Sequence, residues 1–212
     1  LKVNIKIRNF GLRQFKIISH YMQHFTSIRN ECMLDEIWLV QHYPVYTFGV
    51  NERKYSWKVP KNIPIIFSDR GGKTTYHGPG QIIVYFLLDL IRLKISISTL
   101  IYLIQETILS TLKYFSITAY VLKEFPGIYV DNKKICSFGL RIKKGCSFYG
   151  TSLNVDMDLS PFSYINPCGN NINVTQVIDI KPNLNFRLIQ LVLINNIKKY
   201  FSMFYIQTLH KI

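Results

Sequence analysis

Two side chains and one loop in this chain of 212 residues are placed to do chemistry. Cys168 sits in Asn166-Pro167-Cys168-Gly169, where proline and glycine predict a tight turn that presents a thiol to solvent. A presented thiolate can take up an acyl group as a thioester if a base is at hand; otherwise Cys168 is an ordinary turn cysteine. Lys134 is the candidate partner. It opens a strand-like run whose alternation places it on the same face as Cys136, Phe138 and Leu140. At the edge of an apolar face a lysine is partly desolvated, which suits it to stabilise or deprotonate a nearby thiol. The alternative is a hydrated hairpin lysine with its stem along the sheet. Spacing alone does not bring Lys134 and Cys168 together.

The loop is Arg70-Gly71-Gly72-Lys73-Thr74-Thr75-Tyr76-His77-Gly78-Pro79-Gly80, with four glycines just before a buried strand. Glycine removes the side-chain barrier, so a ligand can approach such a backbone closely; an elaborate turn would use the same residues. The loop fits neither a phosphate-binding nor a dinucleotide-binding glycine pattern. The remaining cysteines are less exposed candidates. Cys136 and Cys146 lie in strand-like runs and Cys32 precedes one, so each reads as a small buried apolar side chain. No C-x-x-C pair or zinc spacing occurs, and no metal is expected. His20 and His24 stand four apart on a helix-like run but lack the Glu of an H-E-x-x-H site.

The elements that must position these residues follow from periodicity. Ile17, Ile18, Tyr21, Met22 and Phe25 recur at helical spacing and predict a helix from about Phe15 to Arg29. Asp35 to Gln41 and Ile63 to Phe67 read as strands, and Gln81 to Leu88 as a strand buried on both faces. A helix capped near Ser96 or Ser98 runs through Leu100, Ile101, Ile104, Ile108, Leu112 and Phe115. Gly127 to Val130 and Lys134 to Ile142 flank Asp131-Asn132-Lys133 as a hairpin, and Cys146 to Val155 adds a third strand. An amphipathic helix from about Phe186 to Phe201 closes the pattern. Hairpins and helices mixed without a βαβ repeat predict an α+β fold, a mixed and mostly antiparallel sheet flanked by helices.

Composition sets limits on this picture. Hydrophobic residues at 48% and charged residues at 18% suit one compact domain over residues 1–212 and exclude a disordered chain. The longest uncharged apolar stretches are far shorter than the roughly 20 residues that cross a bilayer, so no membrane association is expected. Leu1 to Lys6 does not read as a signal peptide, and the cysteine usage suits a reducing compartment; both point to the cytoplasm. A net charge of +14 makes the surface attractive to acidic partners, but the lysines are dispersed and no nucleic-acid motif accompanies them.

Taken together, three segments resemble the lipoyl(octanoyl) transferases of the biotin/lipoate protein ligase superfamily. They are R-G-G-x-x-T-Y-H-G-P-G-Q from Arg70 to Gln81, K-I-C-S-x-G from Lys134 to Gly139, and N-P-C-G from Asn166 to Gly169. Leu34 to Val40, His42 to Thr47, Gly145 to Phe148 and Leu153 to Gly169 extend the likeness over nearly the whole chain. The resemblance implies a biotin/lipoate protein ligase-like fold and a two-step reaction without a resident cofactor. Octanoyl-acyl carrier protein, holding the acyl group on its phosphopantetheine, acylates Cys168. A lysine of a lipoyl domain, in a 2-oxoacid dehydrogenase complex or the glycine cleavage H protein, then attacks the thioester. Lys134 would assist proton transfer. Arg70 to His77 (Arg70, Gly71, Gly72, Lys73, Thr74, Thr75, Tyr76, His77), with Ser137, Phe138, Gly139, Gly150, Thr151 and Ser152, would line the acyl site. An ATP-dependent lipoate or biotin protein ligase is the alternative enzyme, and a non-catalytic binding module a third reading. The chain departs from the family at Tyr149-Gly150-Thr151-Ser152, where H-G-L-A is common, and at Asn170-Asn171. Tyrosine, with a usual pKa of about 10, does not replace histidine as a near-neutral proton carrier.

Overall fold

The computed structural model describes residues 4–52, 58–122, 124–165, 173–201 and 205–208. Its elements run in the order β1 (Asn4–Arg13), α1 (Phe15–Ser27), β2 (Asp35–His42), β3 (Val45–Phe48), β4 (Ile65–Phe67), β5 (Thr75–His77), β6 (Gln81–Leu87), α2 (Leu90–Leu93) and α3 (Ile97–Tyr114). Then follow β7 (Tyr120–Val121), β8 (Gly127–Val130), β9 (Lys133–Lys143), β10 (Cys146–Asn154), a 3₁₀ turn (Ser160–Tyr164), α4 (Val177–Ile180), α5 (Phe186–Tyr200) and β11 (Tyr205–Thr208). Eight strands form one sheet in the order β11-β1-β2-β6-β10-β9-β8-β7, and β4-β3-β5 form a smaller one. β1 runs parallel to β11 and β2, and the other pairings of the large sheet are antiparallel. This is the expected α+β architecture. β1 and the small sheet were not foreseen.

Alternation along the central strand divides the core. Ile82, Val84 and Phe86 of β6 face α3 and α5, packing with Leu100, Ile104, Ile108, Ile189, Leu193 and Ile197. Ile83, Tyr85 and Leu87 face the opposite way, onto Phe15, Ile18 and Met22 of α1. A third cluster joins the small sheet to the 3₁₀ turn through Tyr46, Phe48, Tyr76, Met157, Phe162 and Ile165.

The helix starts follow local chemistry. Ser96 accepts from Thr99 N–H at 3.0 Å to cap α3, and Asn185 accepts from the amides of Arg187 and Leu188 to cap α5. In the β8–β9 hairpin Asp131 and Asn132 take positive φ, as a tight hairpin turn requires. The acidic start of β2 is buried because its charges are paired. Asp35 meets Arg29 and Arg92, while Glu36 takes a two-pronged contact from Arg8 at 2.7 and 2.8 Å.

Candidate active site

Lys134 is 4% exposed, so the hydrated-lysine reading does not hold. Its predicted face is also corrected. Ile128 pairs with Cys136, but the next residue, Tyr129, pairs with Lys134, leaving Ile135 as an extra residue in β9. This bulge keeps both Ile135 and Cys136 in the helix-side core and turns Lys134 over to the face of Tyr129. Strict alternation missed the bulge because no glycine or proline in the sequence announces it. Lys134 Nζ donates to Pro126 O at 3.0 Å and lies 5.3 Å from the centre of the Tyr129 ring. Gly127 is bare where the lysine crosses it: a Cβ there would stand 2.7 Å from Lys134 Cε and 3.2 Å from Nζ.

Cys168 and its turn lie outside the described residues, as do Asn170 and Asn171, but both flanks of that segment are placed. Before it, Ile165 is buried in the small-sheet cluster. After it, Asn173 O accepts from Lys134 N–H at 2.8 Å, and Thr175 N–H donates to Lys134 O at 3.0 Å. The chain that carries Cys168 therefore returns directly onto Lys134. Four residues separate Cys168 from Asn173, a reach of at most about 18 Å.

The Arg70 loop covers the same face of β9 farther along. Gly71 N–H donates to Leu140 O at 3.2 Å, and a Cβ on Gly71 would meet that carbonyl at 2.6 Å. Gly139 lies beneath, where a Cβ would stand 3.2 Å from Gly71 O. Arg70 is buried; its Nε donates to Thr47 Oγ1, Nη2 to Thr47 O and Nη1 to Gly71 O. Burial brings its pKa down to about 10, so it stays cationic at neutral pH. Thr74 donates to Glu52 through both its amide and its hydroxyl. Thr75 Oγ1 is buried with no hydrogen-bond partner among the described residues. Tyr76 packs on Tyr46 and Phe162, while Lys73 is exposed and Gly72 half-buried.

His77 is buried against Gln81 Oε1 at 2.7 Å, and burial lowers its pKa to about 3. His42, beside it, is lowered to about 4 for the same reason and meets Tyr85 OH at 2.7 Å. Both rings are neutral at pH 7, which suits fixed hydrogen bonding rather than proton carriage. His42, Gln81 and Asn154 fall inside the segments that carry the family resemblance but were not singled out as site residues from the sequence.

The other expected lining residues divide between the two faces of the sheet. Phe138 packs with the helix-side core. Thr151 Oγ1 donates to Ser137 O and meets Cys136 Sγ at 2.9 Å. Gly150 lies tight against β6, where a Cβ would meet Val84 O at 2.0 Å, and Ser152 is buried opposite Ser137. The Cys136 thiol is pushed up to about 12 by burial, which makes it inert. His20 and His24 lie on α1, and no His, Cys, Asp or Glu cluster able to hold a metal occurs among the described residues.

Tyr149 stands apart from Lys134. It pairs with Leu140, six residues along β9, and its positive φ turns its ring into the α1 side of the core. Its hydroxyl meets Ser19 Oγ at 3.0 Å and donates to Asp69 Oδ1 at 2.9 Å, tying α1 to the base of the Arg70 loop. A proton carrier at this position would have no direct path to Lys134.

The family profile described as the lipoyl protein ligase A/B catalytic domain matches residues 17–198. The chain belongs to this family. Within it, the chain is 59% identical to an octanoyltransferase of Buchnera aphidicola subsp. Baizongia pistaciae (strain Bp), over 95% of this chain and 99% of that one. It is 52% identical to an octanoyltransferase of Escherichia coli O17:K52:H18 (strain UMN026 / ExPEC), over 78% of each. Among solved structures, lipoate-protein ligase A bound with ATP superposes with a TM-score of 0.75 at 14% identity, covering 99% of this chain and 90% of that one. A putative lipoate protein ligase from T. acidophilum with bound lipoic acid gives 0.76 at 15%, over 99% and 90%. At such identities the structures establish the family fold and leave the reaction to the site.

Proposed function

We propose that this chain is an acyltransferase of protein lipoylation that moves an octanoyl group through a Cys168 thioester to a lysine of a lipoyl domain. The observation that carries the reading is the seating of residues 173–175 on the backbone of Lys134, which returns the Cys168 segment to a buried amine. Relatives at 44–59% identity are named octanoyltransferases, whereas the ligases resemble this chain in fold at 13–15% identity.

In the first step the Cys168 thiolate attacks the carbonyl of an octanoyl thioester on acyl carrier protein. The carrier's phosphopantetheine thiol leaves, and a Cys168 thioester remains. In the second step the lysine amine of a lipoyl domain attacks that carbonyl, an amide forms and the Cys168 thiol is restored. Lys134 moves the protons that these exchanges require. The acyl chain runs beside the Arg70–His77 loop on the Ser137 side of β9, short of the point where Gly71 closes directly onto the strand at Gly139 and Leu140. The donor brings its own carrier group, so no resident cofactor is needed. The acidic surfaces expected of both protein partners, including the glycine cleavage H protein, suit a chain of net charge +14. A cytoplasmic setting suits the cysteine usage, and among the described residues no helix is long and apolar enough to cross a membrane.

Incubation with octanoyl-acyl carrier protein should leave a hydroxylamine-sensitive octanoyl adduct on Cys168, and Cys168→Ser should abolish transfer. Folded wild-type protein that forms no adduct, or ATP-dependent amide formation retained by Cys168→Ser, would overturn the reading.

A further inference from the structure

A continuous line of buried polar groups joins the Arg70 loop to the return of the Cys168 segment. Arg70 Nε donates to Thr47 Oγ1 at 3.0 Å, and that oxygen lies 3.4 Å from His77 Nε2. His77 Nδ1 meets Gln81 Oε1 at 2.7 Å; Gln81 Nε2 donates to Asn154 Oδ1 at 2.8 Å; and Asn154 Nδ2 donates to Thr175 O at 3.0 Å. Thr175 N–H then donates to Lys134 O.

The ends of the line fix its direction. An arginine cannot accept and a backbone carbonyl cannot donate. Asn154 must therefore turn its NH₂ toward Thr175, Gln81 its NH₂ toward Asn154, and His77 must carry its proton on Nδ1. Its free Nε2 takes the Thr47 hydroxyl proton. Each donor and acceptor has one consistent role, and every side chain in the line is buried.

Gln81 and Asn154 are directly paired across β6 and β10, and the next pair along, Ile82 with Leu153, is apolar and buried. An apolar pair would serve the sheet equally well at the end position, without the cost of burying two amides. What an apolar pair would not do is hold Thr175. Gln176 adds to the same anchorage, its Oε1 accepting from Met157 N–H at 2.7 Å.

We propose that Gln81 and Asn154 are positioning residues for the transfer reaction, linking the Arg70 loop to the residues 173–175 that seat on the backbone of Lys134. The proposal rests on the thioester reading above for what that end of the site does. Among the described residues both act through Thr175 and Lys134.

The test uses two near-isosteric variants. Asn154→Asp keeps the acceptor facing Gln81 but sets an oxygen against Thr175 O, and Gln81→Met cuts the line one link upstream. In both, the pH midpoint for alkylation of Cys168 by iodoacetamide, read by peptide mass, should move by about half a unit or more as the thiol's surroundings shift. With octanoyl-acyl carrier protein kcat should fall about tenfold, while KM stays within about twofold. Asn154→Asp should regain rate as the pH is lowered, because a protonated carboxyl can again donate to Thr175 O; a purely structural lesion gives no such recovery. A folded variant of either kind with the wild-type alkylation midpoint and kcat would overturn the proposal, and if Asn154→Asp fails to fold, Gln81→Met alone decides. Should the wild-type protein form no octanoyl adduct, the thioester reading fails by itself, and the alkylation midpoints still judge the coupling.

Discussion

Substituting Gly127 by alanine perturbs the site without replacing either proposed catalytic side chain. The added methyl would stand 2.7 Å from Lys134 Cε and 2.9 Å from the carbonyl oxygen of Cys136. Carbon atoms settle at about 3.5 Å or more, so the lysine stem has to retreat by nearly 1 Å. The stem can bend, but the Cys136 carbonyl belongs to the sheet and cannot, so β8 and the lysine shift together. Nζ would then lose its 3.0 Å bond to Pro126 O. A displacement of about 1 Å in a positioned group costs up to about a hundredfold in rate, and the crowding costs about 1–3 kcal/mol of stability. Single-turnover transfer of octanoyl from acyl carrier protein, with thermal unfolding alongside, measures both. Gly127→Ala should lose about a hundredfold in rate while remaining folded. Combined with Lys134→Ala it should lose little more than Lys134→Ala alone, since both act on the same amine. Folded Gly127→Ala with transfer within about threefold of wild type, or losses that add in the double variant, would refute this account of how the lysine is held.

Two further outcomes are expected. His42, brought to about 4 by burial against an ordinary value of 6.5, stays neutral in the folded protein while the unfolded chain takes up a proton, so its contribution is complete above pH 6.5 and is lost as the pH falls to about 4. That loss is on the order of 3 kcal/mol, and urea unfolding between pH 7 and pH 4 should show a shallower fall for His42→Gln; an unchanged slope would contradict it. Tyr149→Phe removes the hydroxyl contacts to Ser19 and Asp69 and should lower stability by about 1–2 kcal/mol with the transfer rate within about threefold, because Tyr149 braces the loop. A rate collapse at unchanged stability would instead give this hydroxyl a part in the chemistry.

Much of this protein is determined locally and was legible in its sequence. Helical periodicity located α1, α3 and α5 because each buries one stripe on the sheet, and the Ser96 cap follows from a hydroxyl meeting an amide three residues on. Asp131 and Asn132 announced the hairpin because both tolerate positive φ. Cys168, Lys134 and the glycine-rich loop came forward as candidates through the combined motifs of the family resemblance, since the residues alone left a turn cysteine, a hydrated lysine and an elaborate turn open.

Position relative to the rest of the chain was beyond the sequence. The bulge at Ile135 that turns Lys134 off the helix face depends on the register of β8 against β9, and a single extra residue leaves no local mark. The small sheet pairs strands separated by long loops, so no short-range pattern reports it. Gln81 and Asn154 lie in separate matched segments, and only antiparallel pairing sets them side by side. The sequence by itself determined which residues could carry an acyl group and which segments would be helix or strand, because those properties reside in side chains and near neighbours. Only the tertiary structure decided which face Lys134 occupies and what seats residues 173–175 on its backbone, because both depend on strand register and on hydrogen bonds between residues far apart in the chain.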